Sequence, residues 1–189
     1  MMVFTMNCLK KSKFLFFIIL LNFLIIQNLY ANQILLKNFV VEKFNDDYKL
    51  SFDQKLTIEG EILQALQKGI ALRFNIIVKL ININNFWFDK IIFKEKNFYE
   101  IKYRNLLRKY ELKDLSGSLS YFSTLEDLKS SLKKVNFELG NLTTDSMTEI
   151  TVNIELDKNQ LPKPLQINYG NDSWNISSEN YLMKFEEIK

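Results

Sequence analysis

The sequence predicts an α+β domain, mainly antiparallel β and sandwich-like, with two short helices. Three observations carry this reading. Apolar residues alternate with polar ones over many short stretches, as in Leu72, Phe74, Ile76, Val78 and Leu80 and again in Ile150, Val152, Ile154 and Leu156. Only two segments space their apolar residues as a helix does. The links between alternating stretches are short and rich in Asn, Asp, Ser and Gly, which favours hairpins.

The first element is a targeting segment. Residues 1–12 carry Lys10 and Lys11, with Lys13 just after and no acid; residues 14–26 are apolar except for Asn22; the chain turns polar at Asn32. A basic start, an apolar stretch of about 7–15 residues and a small residue at its end describe a secretory signal peptide. A membrane-spanning helix needs about 20 apolar residues, more than this run supplies. Cleavage after Ala31 is expected, leaving residues 32–189 as a single periplasmic or secreted domain. The alternative is an uncleaved anchor over residues 14–31, with the domain exported either way. Cys8 precedes the apolar run, so it is not a lipoprotein acceptor, which follows such a run.

The targeting segment also accounts for the charge. Residues 1–31 hold three of the 25 basic residues and none of the 22 acidic ones, so the +3 of the whole chain belongs to them. A neutral exported domain lacks the counterion-release drive toward nucleic acid, and no nucleic-acid partner is expected. Residues 32–189 contain neither cysteine nor histidine. That removes disulfides, zinc, copper or haem sites built on those residues, and Ser-His-Asp or Cys-His catalysis. No cofactor and no metal are expected, and no D-x-[DN]-x-[DN]-G calcium loop occurs.

The remaining elements follow in order. Residues 34–44 and 48–52 read as strands joined by a turn at Asn45, Asp46 and Asp47. Thr57 is placed to cap a helix running to Lys68, with Ile58, Ile62, Ala65 and Leu66 as its buried stripe and Gly69 as its left-handed stop. Residues 70–83 read as a strand, and Asn82, Asn84 and Asn85 turn the chain.

Residues 86–110 form the centre of the pattern. They open with Phe86, Trp87, Phe88 and Asp89 and close with Tyr103, Arg104, Asn105, Leu106, Leu107, Arg108, Lys109 and Tyr110. They read as a central pair of long antiparallel strands, with a hairpin at Asn97. The strand continues through Leu112, turns at Ser116-Gly117 and pairs again over residues 119–122. Ser123-Thr124-Leu125-Glu126 matches a capping box opening the second helix. Leu125, Leu128, Leu132 and Val135 form its buried stripe, and Lys129, Lys133 and Lys134 suit its C-terminal end. Residues 140–146 read as a loop and 147–156 as a strand. Leu161-Pro162-Lys163-Pro164-Leu165 reads as extended or a tight turn, and two short strands follow, over 167–169 and 174–176.

Residues 65–72, Phe86-Trp87-Phe88-Asp89, residues 103–110, residues 122–128, Leu156-Asp157 with residues 161–165, and Trp174 followed by Ser177-Ser178 occur in this order. Taken together, they resemble the bacterial family DUF4390. Asn105, Leu106 and Leu107 depart from the pattern, where relatives more often carry a threonine before the arginine. The resemblance implies an exported protein, with an envelope or membrane protein such as a sensor histidine kinase as a partner.

Candidate chemistry is sparse. Ser130-x-x-Lys133 and Ser131-x-x-Lys134 have the spacing of a serine–lysine nucleophile, without a Lys-Thr-Gly element beside them. Asp46/Asp47 and Glu126/Asp127 are acid pairs of the kind a carboxylate-based hydrolase needs, placed where turns and helix starts want acids. Asp89 lies among aromatics and could pair with Arg104 or Arg108 across a hairpin. The aromatic and basic mix of residues 98–110 also suits a single-strand stacking surface, a use that export and neutrality disfavour. The expectation is therefore a non-catalytic accessory or sensory binding module. Its binding surface comprises Trp87, Asp89, Tyr103, Arg104, Arg108 and Tyr110. The alternatives are a small-ligand or lipid carrier and, last, a carboxylate-based hydrolase.

Overall fold

The computed structural model describes residues 33–45, 47–83, 88–140, 148–166 and 174–184. These belong to one compact unit, Asn32–Lys189. The first hairpin joins β1 (Gln33–Phe44) to β2 (Asp47–Leu56) through Asn45, whose φ of +57° asparagine tolerates better than most residues. Asp46 lies outside the described residues.

Helix α1 (Gly60–Gln67) buries Ile62, Ala65 and Leu66, but Thr57 does not cap it. Glu59 occupies the cap position with no side-chain cap, and Ile58 is pulled into the core ahead of the helix, which keeps the lead-in extended. The expected stop does form. Gly69 has φ +86°, its N–H donates to Leu66 O at 2.8 Å, and the Ile70 N–H donates to Ala65 O at 3.1 Å. This paired 6→1 and 5→2 bonding satisfies carbonyls the helix end would otherwise leave bare.

Next come β3 (Leu72–Asn82), β4 (Lys90–Arg104), β5 (Lys109–Lys113) and β6 (Leu119–Phe122), an antiparallel meander. The expected hairpin at Asn97 is absent: β4 runs unbroken for 15 residues, with Asn97 opposite Ile76. Pairing with a long buried strand outweighs the weak strand preference of one asparagine. The turn comes instead at residues 105–108. Helix α2 (Leu125–Ser131) begins one residue later than the Ser123 capping box predicts; Thr124 caps it by accepting from the Asp127 N–H at 3.1 Å.

Helix α2 is also shorter than its apolar stripe suggests, because Val135 belongs to β7 (Lys134–Gly140) with Phe137 and Leu139. β8 (Thr148–Leu156) follows as expected. Leu161-Pro162 leads into a short helical turn, α3 (Lys163–Gln166), started by the Pro162 carbonyl accepting from Leu165 N–H at 2.9 Å. Trp174 and Ile176 are buried, but the strand they were expected to form starts just after them. It runs as β9 (Ser177–Ser178) and β10 (Tyr181–Lys184), both beside β8. The strand expected over 167–169 lies outside the described residues.

The sheet order is β6-β5-β4-β3-β8-β9-β1-β2-β7, and β10 pairs with β8. Among the described residues β1–β9 is the one parallel pair. The sheet curls so that its two halves face each other, as an antiparallel sandwich-like α+β fold requires. The buried Tyr99 hydroxyl on β4 donates to Gln54 Oε1 on β2 at 3.2 Å, and Gln54 Nε2 donates to Leu132 O at the end of α2 at 2.9 Å. Burial pushes the Tyr99 phenol far above its usual range, so it stays a neutral donor. The registers also set the ends of the sandwich. The β4–β5 turn, α1, α2 and α3 lie at one end; the Asn45 turn and Phe88 lie at the other.

Candidate functional site

The β4–β5 hairpin gathers four of the expected site residues. Tyr103 stands opposite Tyr110 and Arg104 opposite Lys109, so residues 105–108 make a four-residue turn. The Leu107 N–H donates to Arg104 O at 3.1 Å, and Arg108 closes the turn at φ +51°. The two tyrosine rings pack at 4.8 Å with planes tilted by 51°, half-buried on the core side. Arg104 projects from the other face. Its Nε donates to Glu111 Oε2 at 2.7 Å and its Nη2 to Glu111 Oε1 at 2.8 Å. Such a two-pronged, charge-assisted contact fixes both side chains in one geometry.

The tip itself is apolar. Leu106 is 101% exposed and Leu107 58% exposed, while Lys102, Arg104, Arg108 and Lys109 flank them with no acid anywhere in residues 102–110. Glu111 is the nearest acid along the chain, and it is only 6% exposed. The tip is braced from below. A Cβ on Gly69, at the end of α1, would lie 3.3 Å from Asn105 Nδ2 and 3.4 Å from Tyr103 O, so the helix terminus abuts the hairpin.

Asp89 is not part of this cluster. It precedes Lys90 at the start of β4, whereas Arg104 ends the strand, roughly 50 Å away along an extended chain. The expected pairing of Asp89 with Arg104 or Arg108 therefore does not form, because the hairpin it assumed at Asn97 does not exist. Trp87 lies outside the described residues. Sequence reasoning missed Glu111, although a residue seven beyond Arg104 faces back across a four-residue turn. It also missed the two leucines as an exposed pair.

The ion pair sets its own acid response. Arg104 holds the Glu111 carboxyl below the usual carboxylate range, helped by the Tyr121 hydroxyl beside it, and Glu111 in turn raises Arg104 and Tyr121. A depressed carboxylate contributes stability above its unfolded pKa of about 4.3, and loses it as the pH falls through the folded value. Glu111→Gln is therefore expected to cost about 1 kcal/mol at pH 7 and much less at pH 3. Urea unfolding at both pH values checks this; an equal cost at both would show that the charge contributes nothing.

A groove of about 570 Å³ opens at the same end, between β1–β2 and α2, with Lys37, Asn38, Asp53, Lys129 and Ser130 among its walls. Asn38, at φ +54° in a β1 bulge, donates to Asp53 Oδ2 at 2.7 Å. The serine–lysine spacings do not form a helical face. The Ser131 hydroxyl donates to Leu128 O at 2.8 Å, and Lys133 and Lys134 lie beyond the end of α2. Glu126 accepts from Lys129 at 2.9 Å. Among the described residues no cluster of acids is arranged to hold a metal, and no helix is long and apolar enough to cross a membrane.

Fold and site together define a curled antiparallel α+β domain that presents a braced basic hairpin with an apolar tip. The family model for the domain of unknown function DUF4390 matches residues 31–184, and the chain belongs to that family. No curated protein and no solved structure matches it.

Proposed function

We propose that this protein is a non-catalytic accessory or sensory binding module of the bacterial cell envelope. It is exported on residues 1–31, and the β4–β5 hairpin is its contact surface. The observation that carries this reading is the tip. Two leucines are held in water by a turn whose base is locked by the Arg104–Glu111 fork and the Tyr103–Tyr110 pair. Rigid presentation lowers the ordering cost of binding, and arginine and tyrosine are the usual anchors of contact surfaces. An envelope or membrane protein of the sensor histidine kinase kind is the partner the reading favours. Arg104→Gln with Arg108→Gln is expected to cut partner recovery after in-cell crosslinking about tenfold, with a lower melting point from the lost Glu111 fork but unfolding that stays cooperative. Undiminished recovery from a folded double variant would contradict the reading.

The groove beside α2 supports a second reading, a small-ligand or lipid carrier, because its volume lies in the range that holds small molecules. Native mass spectrometry of the exported protein tests it: a bound molecule of constant mass favours the carrier, and a bare protein rules against it.

A further inference from the structure

We infer that the hairpin tip docks on a bilayer surface carrying anionic lipid, with Leu106 and Leu107 entering the headgroup boundary. This rests on the reading above that the tip is the working surface, and it names what the tip touches. The chemistry is layered along the hairpin as a membrane boundary is layered. Leu106 and Leu107 are outermost and exposed. Arg108 and Lys109, with Lys102 just below, form a cationic collar, while Arg104 beside them is paired with Glu111. Tyr103 and Tyr110 stand one step down, each with an apolar ring and a polar hydroxyl.

Apolar residues that insert, cations that meet lipid phosphates and tyrosines at headgroup level are the ingredients of interfacial binding. The Arg104–Glu111 pair cancels its own two charges, so Lys102, Arg108 and Lys109 are the net positive charge that the tip presents to an anionic partner. The tip is a convex tight turn, not a groove or a flat face, so it complements a deformable surface without needing a preformed pocket. Strand β1 also begins at this end, at Gln33.

The test uses the full chain with Cys8→Ser and a single added cysteine, Leu106→Cys, carrying a polarity-sensitive fluorophore. A second version carries the label at Asp47→Cys, at the other end of the sheet. Each is mixed with vesicles of phosphatidylcholine alone, or with about a third phosphatidylglycerol. Expected is a blue shift and quenching by lipid-borne quenchers for label 106 on the anionic vesicles only, with label 47 remaining in water. Removing Leu107 as Leu107→Ser should weaken that signal about tenfold, and raised salt should weaken it further.

A label at 106 that stays in water on anionic vesicles overturns the inference, as does equal insertion of both labels. The two readings fail separately. A tip that ignores vesicles, in a protein whose Arg104→Gln, Arg108→Gln variant still loses a crosslinked protein, leaves the binding module standing and removes only the lipid surface.

Discussion

Phe74→Ala is expected to destabilise the domain by about 3–5 kcal/mol, the range for emptying a buried aromatic site. Phe74 is fully buried in β3, between Tyr99 of β4 and Leu156 of β8, and its ring stacks on Tyr99 at 5.2 Å. Removing it undercuts Tyr99, whose hydroxyl joins β4 to Gln54 and, through Gln54, to the end of α2. A packing loss thus becomes a polar loss as well, because Tyr99 and Gln54 hold hydrogen-bonding groups that burial makes costly to leave alone. For a domain of this size the melting temperature should fall by about 10 °C or more. Leu106→Ala, at the exposed tip, should leave it within about 0.5 kcal/mol of the parent. Calorimetry on both variants checks the pair. Similar melting points would mean that β3 is not the centre of the core.

Gly69→Val carries the second large effect, by a different mechanism. The position needs φ +86°, where a β-branched side chain is strained, and its Cβ would press on Tyr103 O and Asn105 Nδ2. The strain and lost helix stop together should cost about 2–3 kcal/mol. The consequence reaches the tip, since the displaced atoms belong to the turn that holds Leu106 and Leu107. Denaturant unfolding should show the loss, and nuclear magnetic resonance shifts at Asn105–Arg108 should move while those at the Asn45 turn stay put. A stable variant with an unmoved tip would show that α1 does not brace the hairpin.

Those two positions also mark what could be read from the chain. Strict alternation from Leu72 to Leu80 and from Ile150 to Leu156 gives the two strands that pair at the centre, because a half-buried strand writes its face every second residue. Gly69 announces the end of α1 because few other residues adopt its backbone. Asn97 misled because a turn residue in isolation carries a local preference only, and an eleven-residue partner strand overrides it. Val135 misled for a related reason: at helical spacing from Leu128 and Leu132 it fits the stripe of α2, yet it also alternates with Phe137 and Leu139 in β7.

The site followed the same logic. Tyr103, Arg104, Arg108 and Tyr110 come together because they are neighbours in one hairpin, which sequence can reveal. Asp89 was grouped with them through a turn that does not exist. Glu111, the partner that fixes Arg104, required the β4–β5 register, and the bracing of Asn105 by Gly69 required the tertiary packing of α1 against β4. Leu106 and Leu107 fall inside the stretch that reads as strand, and their exposure follows only from the turn at residues 105–108.

The central claim is that the domain works by contact through the β4–β5 tip, and photocrosslinking in living cells tests it most directly. A photoreactive residue at Leu107 in the full chain, and separately at Phe88, which is 95% exposed at the opposite end of the sheet, would be activated in intact cells. The account predicts specific protein or lipid adducts from position 107, lost when Arg104 and Arg108 are both replaced by Gln, and none of those adducts from position 88. Adducts from 88 alone, or no adduct from 107 in a folded and exported protein, would contradict it.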